Sequence, residues 1–204
     1  MMRFTTMKTK LRKYPSIFLI LLLAISSCFL TGCVNQHPKD SKKSSQGESV
    51  ETMLEITDPK EKQAVLNAKA KVKALSGNPR IVATSPAVAD ICDKLDLDLV
   101  GVPKSSVSKI PSRYKKVKKV GLAMSPDMEI VSSLNPDWIL APSSLETDLK
   151  PKFEELKNTE YAFLNLRSVQ GMYRSVQELG EIFGKQQEAE KMTKEFTTFY
   201  KSYK

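Results

Sequence analysis

Thiols and imidazoles are scarce in this sequence, and their positions restrict its chemistry. There are three cysteines, Cys28, Cys33 and Cys92, and one histidine, His37. A zinc centre or a Cys cluster needs ligands at short, repeated spacings, which these four residues do not supply. His37 sits in a polar stretch four residues past Cys33. No catalytic triad and no His-ligated metal centre therefore fits inside the body of the chain. There is also no nucleophile elbow and no Gly-rich phosphate loop. Cys92 lies among apolar residues of an expected helix, which suits a small core residue better than a nucleophile. The residues point to binding rather than catalysis.

Cys33 has a different setting. Residues 1–14 carry Arg3, Lys8, Lys10, Arg12 and Lys13 and no acid, and a 14-residue apolar run, Ile17–Leu30, follows. That run is short for a bilayer span and suits a signal-peptide core. It ends in Leu30-Thr31-Gly32-Cys33, which resembles the lipobox of bacterial lipoproteins. Small residues before the Cys fit a peptidase pocket, and the thiol is the acylation point. The alternative is an uncleaved membrane anchor. Either reading places the body on the extracytoplasmic face, attached to the cell membrane, and a diacylated Cys33 gives the two chains that stable anchoring needs. With Cys28 removed and Cys33 acylated, Cys92 has no partner for a disulfide.

The charge balance changes with this assignment. The chain has 32 Lys+Arg against 23 Asp+Glu. Removing the five basic residues of 1–32 leaves 27 against 23, a net of +4, which makes no strong case for nucleic acid. The local run Arg113-Tyr114-Lys115-Lys116-Val117-Lys118-Lys119 stays basic. It reads as a solvated loop, or as a surface for an acidic ligand or lipid headgroups.

The elements follow from periodicity. Residues 33–57 are a polar tether rich in Ser and Lys. An extra helix is expected over 58–77, with Asp58 as N-cap, Pro59 at its first position and Glu61 completing a capping box. Its apolar stripe is Val65, Ala68, Val72 and Leu75, so it packs on the body or extends the tether. From Arg80 short apolar runs alternate with amphipathic helices. Strands are expected at Ile81–Ala83, Leu99–Val102, Val117–Gly121, Trp138–Ala141 and Tyr161–Leu166. Helices are expected at Ser85–Leu95, Ser125–Leu134, Leu145–Leu156, Ser168–Phe183 and Lys185–Tyr203. This alternation predicts an α/β fold with a mainly parallel sheet flanked by helices. Ligand loops then gather at the carboxyl ends of the strands, at Thr84–Val88, Pro103–Ser108, Gly121–Asp127 and Ala141–Leu145.

Five stretches follow one another at a familiar spacing: Arg80-Ile81-Val82-Ala83-Thr84-Ser85-Pro86, Leu99-Val100-Gly101-Val102, Val120-Gly121, Pro126-Asp127-Met128-Glu129 and Leu134-Asn135-Pro136-Asp137-Trp138-Ile139-Leu140. In this order, behind a lipobox, they resemble the amino-terminal lobe of the cluster-type substrate-binding lipoproteins of ABC importers for iron-siderophores, haem and cobalamin. The stretches Leu95–Gly101 and Gly121–Pro126 are most similar to haem-binding members from Gram-positive bacteria. The resemblance covers about residues 80–204. It implies two α/β lobes joined by a long helix, with ligand between them. On this pattern residues 80–184 are the amino-terminal lobe, 185–204 start the inter-lobe helix, and a second lobe, which a partner chain could carry, is absent.

The resemblance also implies roles. Haem-binding members hold iron between a Met of the first lobe and a His of the second. Met124 matches the Met, a soft thioether ligand; Met128, one turn on, is its rival and is expected to pack inward. The His has no counterpart, because His37 lies in the tether, so haem is expected to be five-coordinate and weakly held. Propionates would meet the backbone N–H groups of Ala87 and Val88 at a helix start. Ser105 and Ser106 fall where relatives contact propionates, or are plain loop. Glu129 matches the acid that docks on permease arginines, or is a first-turn Glu favoured by the helix dipole. The function implied is membrane-anchored binding of haem for iron import. The alternatives are a siderophore or cobalamin ligand, a non-functional fragment, or a cell-surface α/β enzyme of unrecognised type.

Overall fold

Short strands with two different faces build the centre of the molecule. In β2 (Ile81–Ala83), Ile81 and Ala83 join one core cluster and Val82 joins another. In β7 (Trp138–Pro142), Trp138 and Leu140 face the first cluster while Ile139 and Ala141 face the second. In β8 (Glu160–Leu164), Ala162 and Leu164 oppose Tyr161 and Phe163 in the same way. A strand buried on both faces must be apolar throughout, which is why these runs show no polar alternation.

The computed structural model describes residues 3–4 and 54–202. The chain divides into two compact units, Met1–Thr5 with Glu48–Lys204, and Thr6–Gly47, and every described residue belongs to the first. Cys33, His37 and the expected signal segment past Phe4 lie outside the described residues.

The sheet order is β1-β8-β7-β2-β3-β4, with β1 (Arg3–Phe4), β3 (Leu99–Val102) and β4 (Lys118–Lys119) completing it. The pairs β8–β7, β7–β2, β2–β3 and β3–β4 are parallel, and β1 alone joins antiparallel. Helices α1 (Pro59–Lys73), α2 (Pro86–Lys94), α5 (Val169–Phe183) and α6 (Gln186–Ser202) contribute to the first core cluster. Helices α3 (Met128–Ser133) and α4 (Glu146–Glu154) contribute to the second. This is the expected α/β fold with helices on both faces of a mainly parallel sheet.

Several local outcomes differ from the sequence expectation. Helix α1 packs on the body through Val65 and Ala68. Glu61 does not complete a capping box. Asp58 accepts from the N–H of Lys60, while the Glu61 carboxylate is drawn inward to accept from the Arg174 guanidinium at 2.8 Å. Ser125-Pro126 does not open a helix. These residues form β6, folded back on β5 (Gly121–Leu122), and α3 starts after Asp127. Asp127 is the better cap because its Oδ1 accepts from the N–H groups of both Glu129 and Ile130. Strand β8 ends at Leu164, two residues early, because Asn165 donates its N–H to Ser175 Oγ at 3.0 Å instead of continuing the ladder.

Candidate ligand-binding edge

Parallel pairing puts the carboxyl ends of β2, β3, β4, β7 and β8 on one edge. The chain runs outward from β2 through β3 to β4, then returns to place β7 on the other side of β2. The strand order thus reverses between β2 and β7, and in open α/β sheets such a reversal opens a crevice at the carboxyl ends. The Thr84 N–H donates to Leu140 O at 3.0 Å and its hydroxyl approaches the same oxygen at 3.3 Å, closing the floor.

The start of α2 stands beside this floor. Ala87 is exposed. Val88 is fully buried, and its N–H donates to the N-cap hydroxyl of Ser85 at 3.2 Å. The expected pair of backbone donors therefore reduces to Ala87. The loop after β3 is tied to the neighbouring hairpin by the Lys104 N–H, which donates to Gly121 O at 2.6 Å. Within it Ser105 Oγ accepts from the Ser108 N–H at 3.0 Å, which leaves the Ser105 hydroxyl hydrogen to point elsewhere. Ser106 is exposed.

The β5–β6 hairpin carries Met124. Gly121 has φ +94°, and a Cβ there would sit 2.9 Å from the backbone N of Asp127, so only glycine fits. The register Gly121↔Pro126 and Leu122↔Ser125 leaves Ala123-Met124 as a two-residue tip. Met124 is 74% exposed there. Met128 is half-buried and packs against the second core cluster. Glu129 is exposed in the first turn of α3.

Exposed large apolar residues concentrate here. Val107, Leu122, Met124 and Val169 all follow carboxyl ends of strands, while Leu66 and Phe199 lie on α1 and α6. The turn after β8 was not among the loops expected from the sequence. It brings Asn165 and Arg167 to the edge, where with Ser143, Glu146 and Lys150 they line an open depression of about 530 Å³. The early end of β8 creates this turn; Asn165 as a local acceptor for the Arg167 N–H at 3.2 Å was the available signal.

Cys92 is fully buried, and burial pushes its thiol up to about 12, so it is an inert core residue. Among the described residues no group of three or more His, Cys, Asp or Glu is suited to a metal ion. No helix among them is long and apolar enough to cross a membrane.

Comparison with known proteins agrees with this architecture. The family model described as periplasmic binding protein matches residues 81–204. The high-affinity heme uptake system protein IsdE of Staphylococcus aureus strain Newman is 36% identical over 117 residues, which is 57% of this chain and 39% of that protein. An ABC transporter substrate-binding protein from Listeria monocytogenes EGD-e superposes with TM-score 0.57 at 44% identity, covering 60% of this chain and 46% of that one. The S. aureus IsdE complex with heme gives TM-score 0.56 at 34% identity, with the same two coverages. The siderophore-binding protein BauB, bound to acinetobactin and ferric iron, gives TM-score 0.51 at 25% identity, covering 59% and 45%. The chain spans less than half the length of these relatives. It belongs to the periplasmic binding protein family, matched over the length of one lobe, and is similar there to substrate-binding proteins of ABC transporters.

Proposed function

We propose that this chain binds haem for iron acquisition as the lipid-anchored, extracytoplasmic binding component of an ABC importer. The observation that carries the reading is Met124. Burying a Met side chain is worth about 1.5–3 kcal/mol, yet this one stands exposed on a hairpin tied down at Gly121. A thioether held in the open beside other exposed apolar side chains suits an axial contact to porphyrin iron with the ring edge on Val107 and Leu122. The Ala87 N–H and the hydroxyls of Ser105 and Ser106 are the donors for propionates. Glu129, exposed at the start of α3, is the contact for an arginine of the permease, and Cys33 carries the lipid. The similarity to IsdE supports the choice of ligand.

The test is titration of the full chain with ferric haem, followed by absorbance, beside Met124→Ala. A saturable Soret shift that is lost in the variant is expected. A folded protein that gives no saturable shift overturns the reading. A second reading, an anionic ferric siderophore, is favoured by Arg167 and Lys150 in the depression beside β7 and β8. It requires saturable binding of a carboxylate siderophore that Arg167→Ala weakens and Met124→Ala leaves unchanged.

A further inference from the structure

Residues 103–126 contain seven basic side chains and no acidic one. The structure shows which of these charges are already neutralised. Arg113 is held by Asp96 at 2.9 Å and Asp98 at 2.8 Å, and Lys185 takes the other oxygen of Asp96 at 2.9 Å. The nearest acids before the stretch are thereby occupied; of those after it, Asp127 caps α3 and Glu129 is exposed in its first turn. The other six, Lys104, Lys109, Lys115, Lys116, Lys118 and Lys119, are all exposed. None of them ion-pairs with a described residue.

These lysines gather at the β4 end of the sheet, where Lys118 and Lys119 point to opposite sides of the last strand and so flank its edge. Lys118 and Lys119 are β4, which ends the sheet, and Lys115 and Lys116 lead into it. Lys104 and Lys109 lie on the loop after the adjacent strand β3. Lysines on an edge strand discourage pairing with another chain, but that accounts only for Lys118 and Lys119. Val107, between the lysines of the loop, is 94% exposed.

We infer that this flank is a face for an anionic bilayer surface. Three observations select that partner. A site for a small anion would bury at least one of its donors, and all six ammonium groups are in the open. A single-stranded nucleic acid would need an aromatic platform for its bases, and the one aromatic of the stretch, Tyr114, is buried with its hydroxyl donating to Leu97 O at 2.6 Å. An exposed Val among lysines matches the layered chemistry of a membrane, with phosphates outside and acyl chains beneath. The flank runs through Val120 into the Met124 hairpin, so contact brings the ligand edge close to the bilayer. This inference holds whichever iron ligand the edge takes.

The test uses the full chain bound to vesicles of phosphatidylglycerol or of phosphatidylcholine. On the anchoring proposed above, its amino-terminal segment holds it to both, so the comparison isolates headgroup charge. Lysine acetylation rates are read by mass spectrometry, with Lys157 and Lys191 as references on the same molecule. Each lysine near an anionic surface contributes a factor of about five, so the six are expected to react at least about tenfold more slowly on phosphatidylglycerol. High salt should remove the protection. The triple variant Lys109→Gln, Lys116→Gln, Lys118→Gln should return Lys104, Lys115 and Lys119 to the rate seen on phosphatidylcholine. Equal rates on the two vesicle types overturn the inference. So does equal protection by free glycerol phosphate, which marks a small-anion site, or protection by an oligonucleotide alone.

Discussion

Met124 reaches the solvent because Gly121 lets the chain turn back before it. A side chain at residue 121 meets two obstacles, the positive φ and the backbone N of Asp127 at 2.9 Å. Gly184, at φ +71°, meets only the first, since nothing lies within 4 Å of its Cβ position. Gly184→Ala should therefore cost about 1 kcal/mol, and Gly121→Ala about 2–3 kcal/mol. Urea unfolding of the two variants checks this, and equal costs would mean that the Asp127 contact relaxes freely. On the proposed haem reading, Gly121→Ala should also weaken binding, because the Met124 tip moves with the turn. The sequence pointed to Met124, Ser105, Ser106 and Glu129 only through resemblance. Val88 was misjudged as a donor because an N-cap serine takes the N–H three residues on, and Ser85 is such a cap. Arg167 was missed because strand ends are set by competing side-chain acceptors, here Ser175 Oγ, that lie far along the chain.

Among the elements, β2, β7 and β8 were legible because continuous apolar runs bounded by turn residues have few other uses. The β5–β6 hairpin was not, since two-residue strands carry no periodicity. Its Ser125-Pro126 also mimics a helix start, and only Asp127 in place, accepting two N–H groups, shows which cap wins. The α5–α6 pair was legible from Gly184, but how closely the two helices approach was not. A Cβ on Gly180 would lie 2.6 Å from Ala189 Cβ, and Gly180 O accepts from the Lys185 N–H at 2.7 Å. The closeness of α5 to α6 thus rests on one missing methyl group. Gly180→Ala should destabilise the chain by about 1–3 kcal/mol, even though alanine is the better helix former. Adding Ala189→Gly should recover most of that loss in thermal unfolding. A double variant no more stable than Gly180→Ala alone would mean that the Lys185 backbone, at 3.0 Å, is the true obstacle.

At the scale of the molecule, α1 is held to the body by charge as well as by packing. Lys69 pairs with Glu181 and Lys71 with Glu160 at its rim. In the interior Glu61 meets Arg174, and the fully buried Glu178 carboxyl lies beside the Glu61 carboxylate. Burial first, and the nearby Glu61 carboxylate second, push the Glu178 carboxyl up to about 8. Glu178 is therefore protonated in the folded chain at neutral pH, whereas in the unfolded chain it titrates near its ordinary value of 4.5. The sign follows from the raised pKa. Its contribution is fully present below about 4.5 and is lost as pH rises through about 8, at no more than about 1.4 kcal/mol per pH unit. Asp96 and Glu181 act in the opposite sense. Hydrogen bonds from Lys185 and Arg113, and from Lys69, hold them below the usual carboxylate range, so their contribution falls only on acidification. Between pH 5 and 8 the wild-type melting temperature should then fall as pH rises, with Glu178 as the main cause. Glu178→Gln keeps the shape and cannot ionise, so its melting temperature should stay nearly level over that range and exceed the wild type at pH 8. Parallel pH profiles for the two proteins would mean that Glu178 is charged in the folded state and that the buried cluster takes up its charge by rearranging around Arg174.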